Sequence, residues 1–323
     1  MLRSYNGYRS RLQTEEKIKQ HLVDQGYPYV DQAIKNERDE FLTRDGAGNL
    51  WIMRKWYTGK ECDIREAQEV HLAAVHLAKL HQLLVQPFAK QSEQPVLATA
   101  NDESEGLGET DNDRGRTDSS QSSFPIEKPY FEKRNRELKR VHSYIRKKRH
   151  KNEMELALLD AFGYYYEQGC EAERIDAEEQ VFQSLYQQSV EEELYVHGSY
   201  NYHNLLIQGR RIATTNFENS KAGIQILDLY GFLRKVMEKN GWHSSLGTEI
   251  LDAYQEQRSL SGHERKLLYT LLLYPEKYWK QCNFYYNGKK SWTSRKNLDK
   301  LQRLQAQEAE RRQFLESIKG VLF

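Results

Sequence analysis

The apolar positions along the chain predict short mixed elements at the start and long helices afterwards. Residues 14–25, TEEKIKQHLVDQ, read as a helix capped by Thr14, with Glu15 and Glu16 in its first turn and a stop at Gly26. Two β-rich runs follow, YVDQAIKN and EFLTRDGAGNLWIMRKWY. The second is divided by DGAGN, where Gly46 and Gly48 read as hairpin-turn glycines; no Gly-rich loop opens a helix, which argues against a phosphate cradle. Residues 66–86 place Val70, Ala74, Leu77 and Leu80 at helical spacing, with Leu84 following, and predict a buried helix. Its histidines, His71, His76 and His81, are spaced by five. They spread around the helix instead of sharing a face as metal ligands would, so surface or capping roles are expected.

Residues 91–123 contain no aromatic and few aliphatic side chains, and are rich in Ser, Asp, Glu, Gly and Thr. Such a stretch buries too little apolar area to offset its ordering entropy, and a disordered acidic insertion is expected. A long helical hairpin follows over 129–169. Its first half gathers Arg134, Arg136, Lys139, Arg140, Arg146, Lys147, Lys148, Arg149 and Lys151, the densest positive cluster in the chain. The plain reading is a solvated helix face screened by the acidic stretch; the other is an anion or partner site. From residue 247 the pattern is helical, with a capping box at Ser261 and Glu264 and a break at Pro275. A short α/β start and a mostly helical remainder predict an α+β protein of two unequal lobes.

Composition narrows the functional classes. The 323 residues carry a net charge of +1, with 38% hydrophobic and 29% charged positions. That balance offers no global electrostatic case for nucleic acid. Cys62, Cys170 and Cys282 form no CxxC pair and read as free thiols in a reducing compartment. Neither an apolar leader nor a membrane-length apolar run is present in the sequence. The 21 tyrosines, against 11 phenylalanines, suit cores and association surfaces alike.

The chemistry concentrates in YVHGSYNYHNLLIQGRRIATTNFE, residues 195–218, which reads as loop, strand, turn at Gly209, strand, loop. Kinase-like phosphotransferases carry HGDxxxxN before such a hairpin and DxD after it. The first Asp orients the substrate hydroxyl, and the Asn and the DxD acid hold Mg between the phosphates. Here the spacing is kept by His197, Gly198, Ser199 and Asn204, then by Asn216, Phe217 and Glu218.

With WYTGKECD, LAKLH, NRELKRVHSYIRKK, QGCEAERI, HGSYNYHNLL, ATTNFE, QILDLYGFLRKVMEK and YPEKYW, the chain resembles the CotS family of spore coat proteins, which is similar in fold to aminoglycoside and choline phosphotransferases. The resemblance implies a protein-kinase-like α+β fold, with a truncated N-lobe over 1–57, a helical C-lobe over 58–323, and Asp228 bracing the catalytic loop. It aligns MLRSYNGY with the strand that carries the ATP-binding lysine, making Arg3 the nearest cation and Glu15 or Glu16 its helix partner. The two preceding strands and their glycine-rich loop have no counterpart, unless the true start lies upstream of Met1. Ser199 supplies no general base, help that is worth roughly 10²–10⁴ in rate. Asn216 supplies no charge where Mg prefers an anionic oxygen, and leaves Asn204 and Glu218 as the remaining metal-site positions. The expectation is a non-catalytic, kinase-like structural protein of the spore coat, made in the mother-cell cytoplasm. Its partners would be other coat proteins, with no nucleic acid or membrane partner and no cofactor. The alternative is a weak ATP- and Mg-dependent small-molecule phosphotransferase using Glu218 and Asn204 for metal and a water or His203 as base.

Overall fold

The computed structural model describes residues 1–86, 130–288 and 295–322. The insertion expected at 91–123 lies outside these residues.

The small lobe consists of β1 (Leu2–Ser4), α1 (Arg9–Asp24), β2 (Ala33–Ile34), β3 (Leu42–Arg44) and β4 (Leu50–Arg54). All three other strands pair antiparallel with β4, with Leu2 opposite Met53, Ile34 opposite Met53 and Leu42 opposite Ile52. Strand alternation sends Ile52 and Arg54 inward and Met53 outward. Tyr5, Leu12, Leu42 and Ile52 form a small core under the sheet. The β3–β4 hairpin turns where DGAGN predicts it: Asp45 accepts from the backbone N–H groups of Ala47 and Asn49, and Gly48 adopts a φ of 88°.

α1 begins at Arg9, not at Thr14. Thr14 lies inside the helix, its hydroxyl donating to the Ser10 carbonyl, and Glu15 and Glu16 fall on the buried face beside Leu12, Ile18, Lys19 and Leu22. The acids were expected at a helix start because the apolar face of this helix also carries charges, which blurs its beginning.

The chain continues through β5 (Lys60–Glu61), α2 (Ala67–Leu83), α3 (Tyr130–Lys147), α4 (Glu153–Glu179), α5 (Val181–Glu191), β6 (Tyr195–Val196), β7 (Leu205–Gln208), β8 (Arg211–Thr214) and β9 (Lys221–Ala222). It then runs through α6 (Ile226–Lys239), α7 (Ser244–Gln255), α8 (Gly262–Leu273), α9 (Glu276–Asn287), α10 (Arg295–Ala306) and α11 (Glu308–Leu322). β5, β7 and β8 form one small sheet and β6 pairs with β9. The main core gathers apolar residues of α2, α6, α7, α8 and α11, and α1 reaches into it through Ile18 and Leu22. A second core lies among α3, α4, α9 and α10.

Local signals explain most boundaries. Asn152 with Glu155, and Ser261 with Glu264, form complete capping boxes at α4 and α8. Pro275 separates α8 from α9. The β7–β8 turn places Gly209, φ 61°, at the first of two central positions, the requirement of a type II′ hairpin. The last predicted helix is divided in two at Gln307.

The histidines of α2 depart from expectation. His81 is fully buried, and His76 bonds Thr214 Oγ1 at 2.8 Å and Tyr27 Oη at 3.2 Å. His71 alone of the three keeps a side chain about 41% exposed. A five-residue spacing spreads side chains over the helix but says nothing of which faces are covered, and α2 packs extensively against α7 and the β8 end.

Candidate functional site

The loop after β6 is held from below by one carboxylate. Asp228, in the first turn of α6, accepts the His197 N–H through Oδ2 at 2.7 Å and the Gly198 N–H through Oδ1 at 2.9 Å. His81 reaches the same Oδ2 at 3.4 Å and Tyr254 Oη at 2.7 Å, and its burial lowers its pKa, against the pull of Asp228. Gly198 turns with φ 74°, and a Cβ there would sit 2.2 Å from the Asn219 carbonyl oxygen, so only glycine fits between the two loops.

His197 is fully buried, and both ring nitrogens are engaged. Nε2 donates to the Thr215 carbonyl at 3.1 Å, while Nδ1 accepts the Ser199 N–H at 3.2 Å. That pair of roles defines a neutral ring, and burial lowers its pKa in the same direction. His197 therefore stitches the loop before β7 to the loop after β8.

Ser199 stands where the catalytic acid would. Its Oγ accepts from Asn219 Nδ2 at 2.7 Å, and its carbonyl accepts from Asn201 Nδ2 at 2.9 Å and Asn204 Nδ2 at 2.8 Å. Hairpin register brings the remaining positions alongside. Leu205 pairs with Thr214, and the Thr215 N–H donates to the Asn204 carbonyl at 2.9 Å, so Asn216 comes one residue beyond the position opposite Asn204.

Asn216 adopts left-handed backbone angles, φ 65° and ψ 58°, which asparagine tolerates better than most residues. Its N–H donates to Asp31 Oδ2 at 3.0 Å. Asp31 belongs to a buried ionic cluster. Lys19 Nζ lies 2.6 Å from Glu15, 3.0 Å from Glu16 and 3.0 Å from Asp31, and Arg54 Nη1 lies 2.8 Å from Glu15 and 3.0 Å from Glu16. Glu15 and Glu16 thus pair with Lys19 and Arg54, and not with Arg3 as expected. Arg3 instead forms a partly exposed ion pair with Glu218, joining β1 to the loop after β8. The physical reason is strand alternation combined with burial: Arg54 points into the lobe from β4, and Lys19 shares a helix face with the two acids, so these two cations occupy the interior that Arg3 was assigned.

The structure therefore joins Ser199, Asn204 and His197 directly, links Asn216 to them through Thr215, and ties Glu218 to Arg3. His203 is drawn away, its Nδ1 lying 2.7 Å from Glu61 on β5. Sequence reasoning missed Lys19, Asp31, Arg54 and Asn219. For Asp31 a signal existed, an acid inside the apolar run YPYVDQAI; for Lys19 it was a cation on the face that also bears Leu12 and Leu22.

Of the positions that would ligate metal, Asn204 and Asn216 are neutral and the one carboxylate, Glu218, is engaged by Arg3. Among the described residues no cluster of three or more His, Cys, Asp or Glu is placed to hold a metal ion.

Comparison with known proteins agrees with the architecture. A family described as Spore coat putative kinase YutH matches residues 226–318, from the start of α6 into α11. No curated protein sequence matches the chain. Among solved structures, an aminoglycoside phosphotransferase from Alicyclobacillus acidocaldarius is 16% identical, with a TM-score of 0.78 covering 99% of this chain and 86% of that one. The amicoumacin kinase hAmiN, in complex with AMP-PNP, Ca2+ and Ami, is 12% identical, with a TM-score of 0.52 covering 97% and 80%. An AMP-bound spectinomycin phosphotransferase is 9% identical, with a TM-score of 0.50 covering 94% and 82%. The likeness to kinase-like spore coat proteins holds, and the fold is the two-lobed α+β fold of these phosphotransferases with a small sheet lobe.

Proposed function

We propose that the protein is a non-catalytic member of the kinase-like class that serves as a structural component of the spore coat. It would be made in the mother-cell cytoplasm and held in the coat by other coat proteins. One observation carries the reading. The position of the catalytic acid is a serine whose hydroxyl and carbonyl are both used to knit the loop to Asn219, Asn201 and Asn204. A group that spends its hydrogen bonds on fixing a loop offers no lone pair of suitable basicity to a substrate hydroxyl. The Arg3–Glu218 pair supports the same reading, since it neutralises the one acid left where a metal would bind. The bracing contacts from Asp228 to His197 and Gly198 stand intact beside a site whose catalytic-acid position is a serine, as a fold kept for its shape requires.

The test is a thermal-shift titration of the purified chain with ATP and either Mg or Mn, read together with ADP formation. No saturable shift and no ADP above the no-protein control are expected. Saturable stabilisation together with turnover would overturn the proposal in favour of a small-molecule phosphotransferase.

A further inference from the structure

The basic helix α3 is left over from the account above, and the structure sorts its charges. Three of the nine cations are consumed internally. Arg134 pairs with Glu276 between the rings of Tyr130 and Trp279, each 4.0 Å from its guanidinium; Lys148 pairs with Glu155; Lys151 donates to the Lys148 carbonyl at 2.7 Å. The other six, Arg136, Lys139, Arg140, Arg146, Lys147 and Arg149, are exposed.

The opposite face of α3 is packed, with Phe131, Leu138, Val141 and Ile145 buried. At about 100° per residue, Arg136 to Lys147 fall within an arc of roughly 120°, along about 16 Å of helix. The one carboxylate paired with any of the six among the described residues is Glu132, 3.8 Å from Arg136. Like charges at i and i+3 or i+4, as in Arg136 with Lys139 and Arg140, weaken a helix by a few tenths of a kcal/mol each. An ordinary solvated face compensates them. On α4, Arg174 is flanked by Glu171 at 2.7 Å and by Glu178. Lys139 lies over the Tyr166 ring at 5.3 Å; among the described residues the rest of the outer face of α3 has no compensation beyond Glu132, and so keeps a standing attraction for an external anion.

We propose that the outer face of α3 and the turn after it form a docking surface for an acidic polypeptide segment of another coat component. The choice of partner rests on the proposed coat role; the surface itself does not. Several features favour polypeptide over other polyanions. Arginine forks match carboxylates bidentately, and acids on a strand or helix recur about 6–7 Å apart, close to the 5–6 Å spacing of the cations. The arc of α3 that bears the cations carries no aromatic ring of its own for base stacking and no apolar side chain to enter a bilayer, Ser143 being the residue between the cations, and the Tyr166 ring beside Lys139 is only half-exposed.

The experiment titrates the full chain into fluorescein-labelled poly-L-glutamate by fluorescence anisotropy, with a labelled DNA duplex and phosphatidylserine vesicles as separate arms. Binding to polyglutamate is expected at about 0.05 M salt and its loss by about 0.5 M, as the screening length falls from roughly 14 Å to roughly 4 Å. The double variant Arg140→Glu/Lys147→Glu should bind about tenfold more weakly with an unchanged unfolding temperature, both positions being exposed. No binding at low salt, binding indifferent to the double variant, or preference for the duplex or the vesicles would overturn the proposal. ATP turnover would defeat the functional reading without touching this result, so the two failures are distinguishable.

Discussion

Arg3, on the edge strand of the small lobe, and Glu218, after the last strand of the hairpin, form an ion pair across 215 positions of sequence. One stands where the nucleotide-binding cation was expected and the other where a metal ligand was, and the two meet each other. Both side chains are about a third or more exposed, at 33% and 43%, so the pair is screened and contributes little to stability. Its consequence is chemical: it sets a guanidinium beside the one carboxylate left at the metal-site positions.

Restoring the missing acid alone should therefore fail. The variant Ser199→Asp is expected to show no ATP turnover, because Asn216 remains neutral and Glu218 remains paired. A sensitive ADP-release assay decides it, and turnover clearly above the parent chain would show that the rest of the site is functional.

The brace under the loop should matter more than the side chain at position 199. Asp228→Ala strands a buried and a part-buried backbone N–H group and removes a partner of His81, at roughly 1–3 kcal/mol for each unsatisfied donor. Urea unfolding should show a loss of about 3 kcal/mol or more. Asp228→Asn, which retains one acceptor oxygen, should lose less; equal losses would contradict this account.

Gly198→Ala combines a positive φ with a Cβ 2.2 Å from a backbone oxygen. Strain of roughly 1–3 kcal/mol from the backbone alone is expected, with more from the clash. An unchanged denaturation midpoint would mean that the two loops are not in contact.

Removing one cation from the buried cluster should be severe. Lys19→Met leaves Glu15, Glu16 and Asp31 facing Arg54 alone, and breaking a buried pair costs roughly 3–5 kcal/mol. Because Asp31 also holds the Asn216 N–H, hydrogen exchange at residues 215–219 should accelerate in this variant. If exchange rises elsewhere and not there, Asp31 does not hold that loop.

His76 gives the fold a defined acid sensitivity. Burial pushes its pKa from 6.5 down to about 3, so the folded protein holds it neutral while the unfolded chain takes up a proton below 6.5. With more protons bound in the unfolded state, stability is intact above pH 6.5 and falls as pH drops toward about 3. The variant His76→Gln should show a shallower decline of unfolding temperature across that window than the parent chain. Parallel curves would place the acid sensitivity in other groups.

The sequence by itself determined what is local. The β3–β4 and β7–β8 hairpins, the α3–α4 pair, the capping box at Ser261 and the break at Pro275 follow from turn residues, caps and periodicity, each acting over a few positions. The sequence also placed Ser199, Asn204, Asn216 and Glu218 in one neighbourhood, because hairpin register fixes which residues lie opposite each other. Only the tertiary structure decided who pairs with whom. Arg54 reaches Glu15 and Glu16 from 39 and 38 residues away, His81 meets Asp228 from 147, and Arg3 meets Glu218 from 215. A charge at a given position is compatible with solvent or with any opposite charge, and only the packing of strands and helices around it removes the water and leaves one partner within reach.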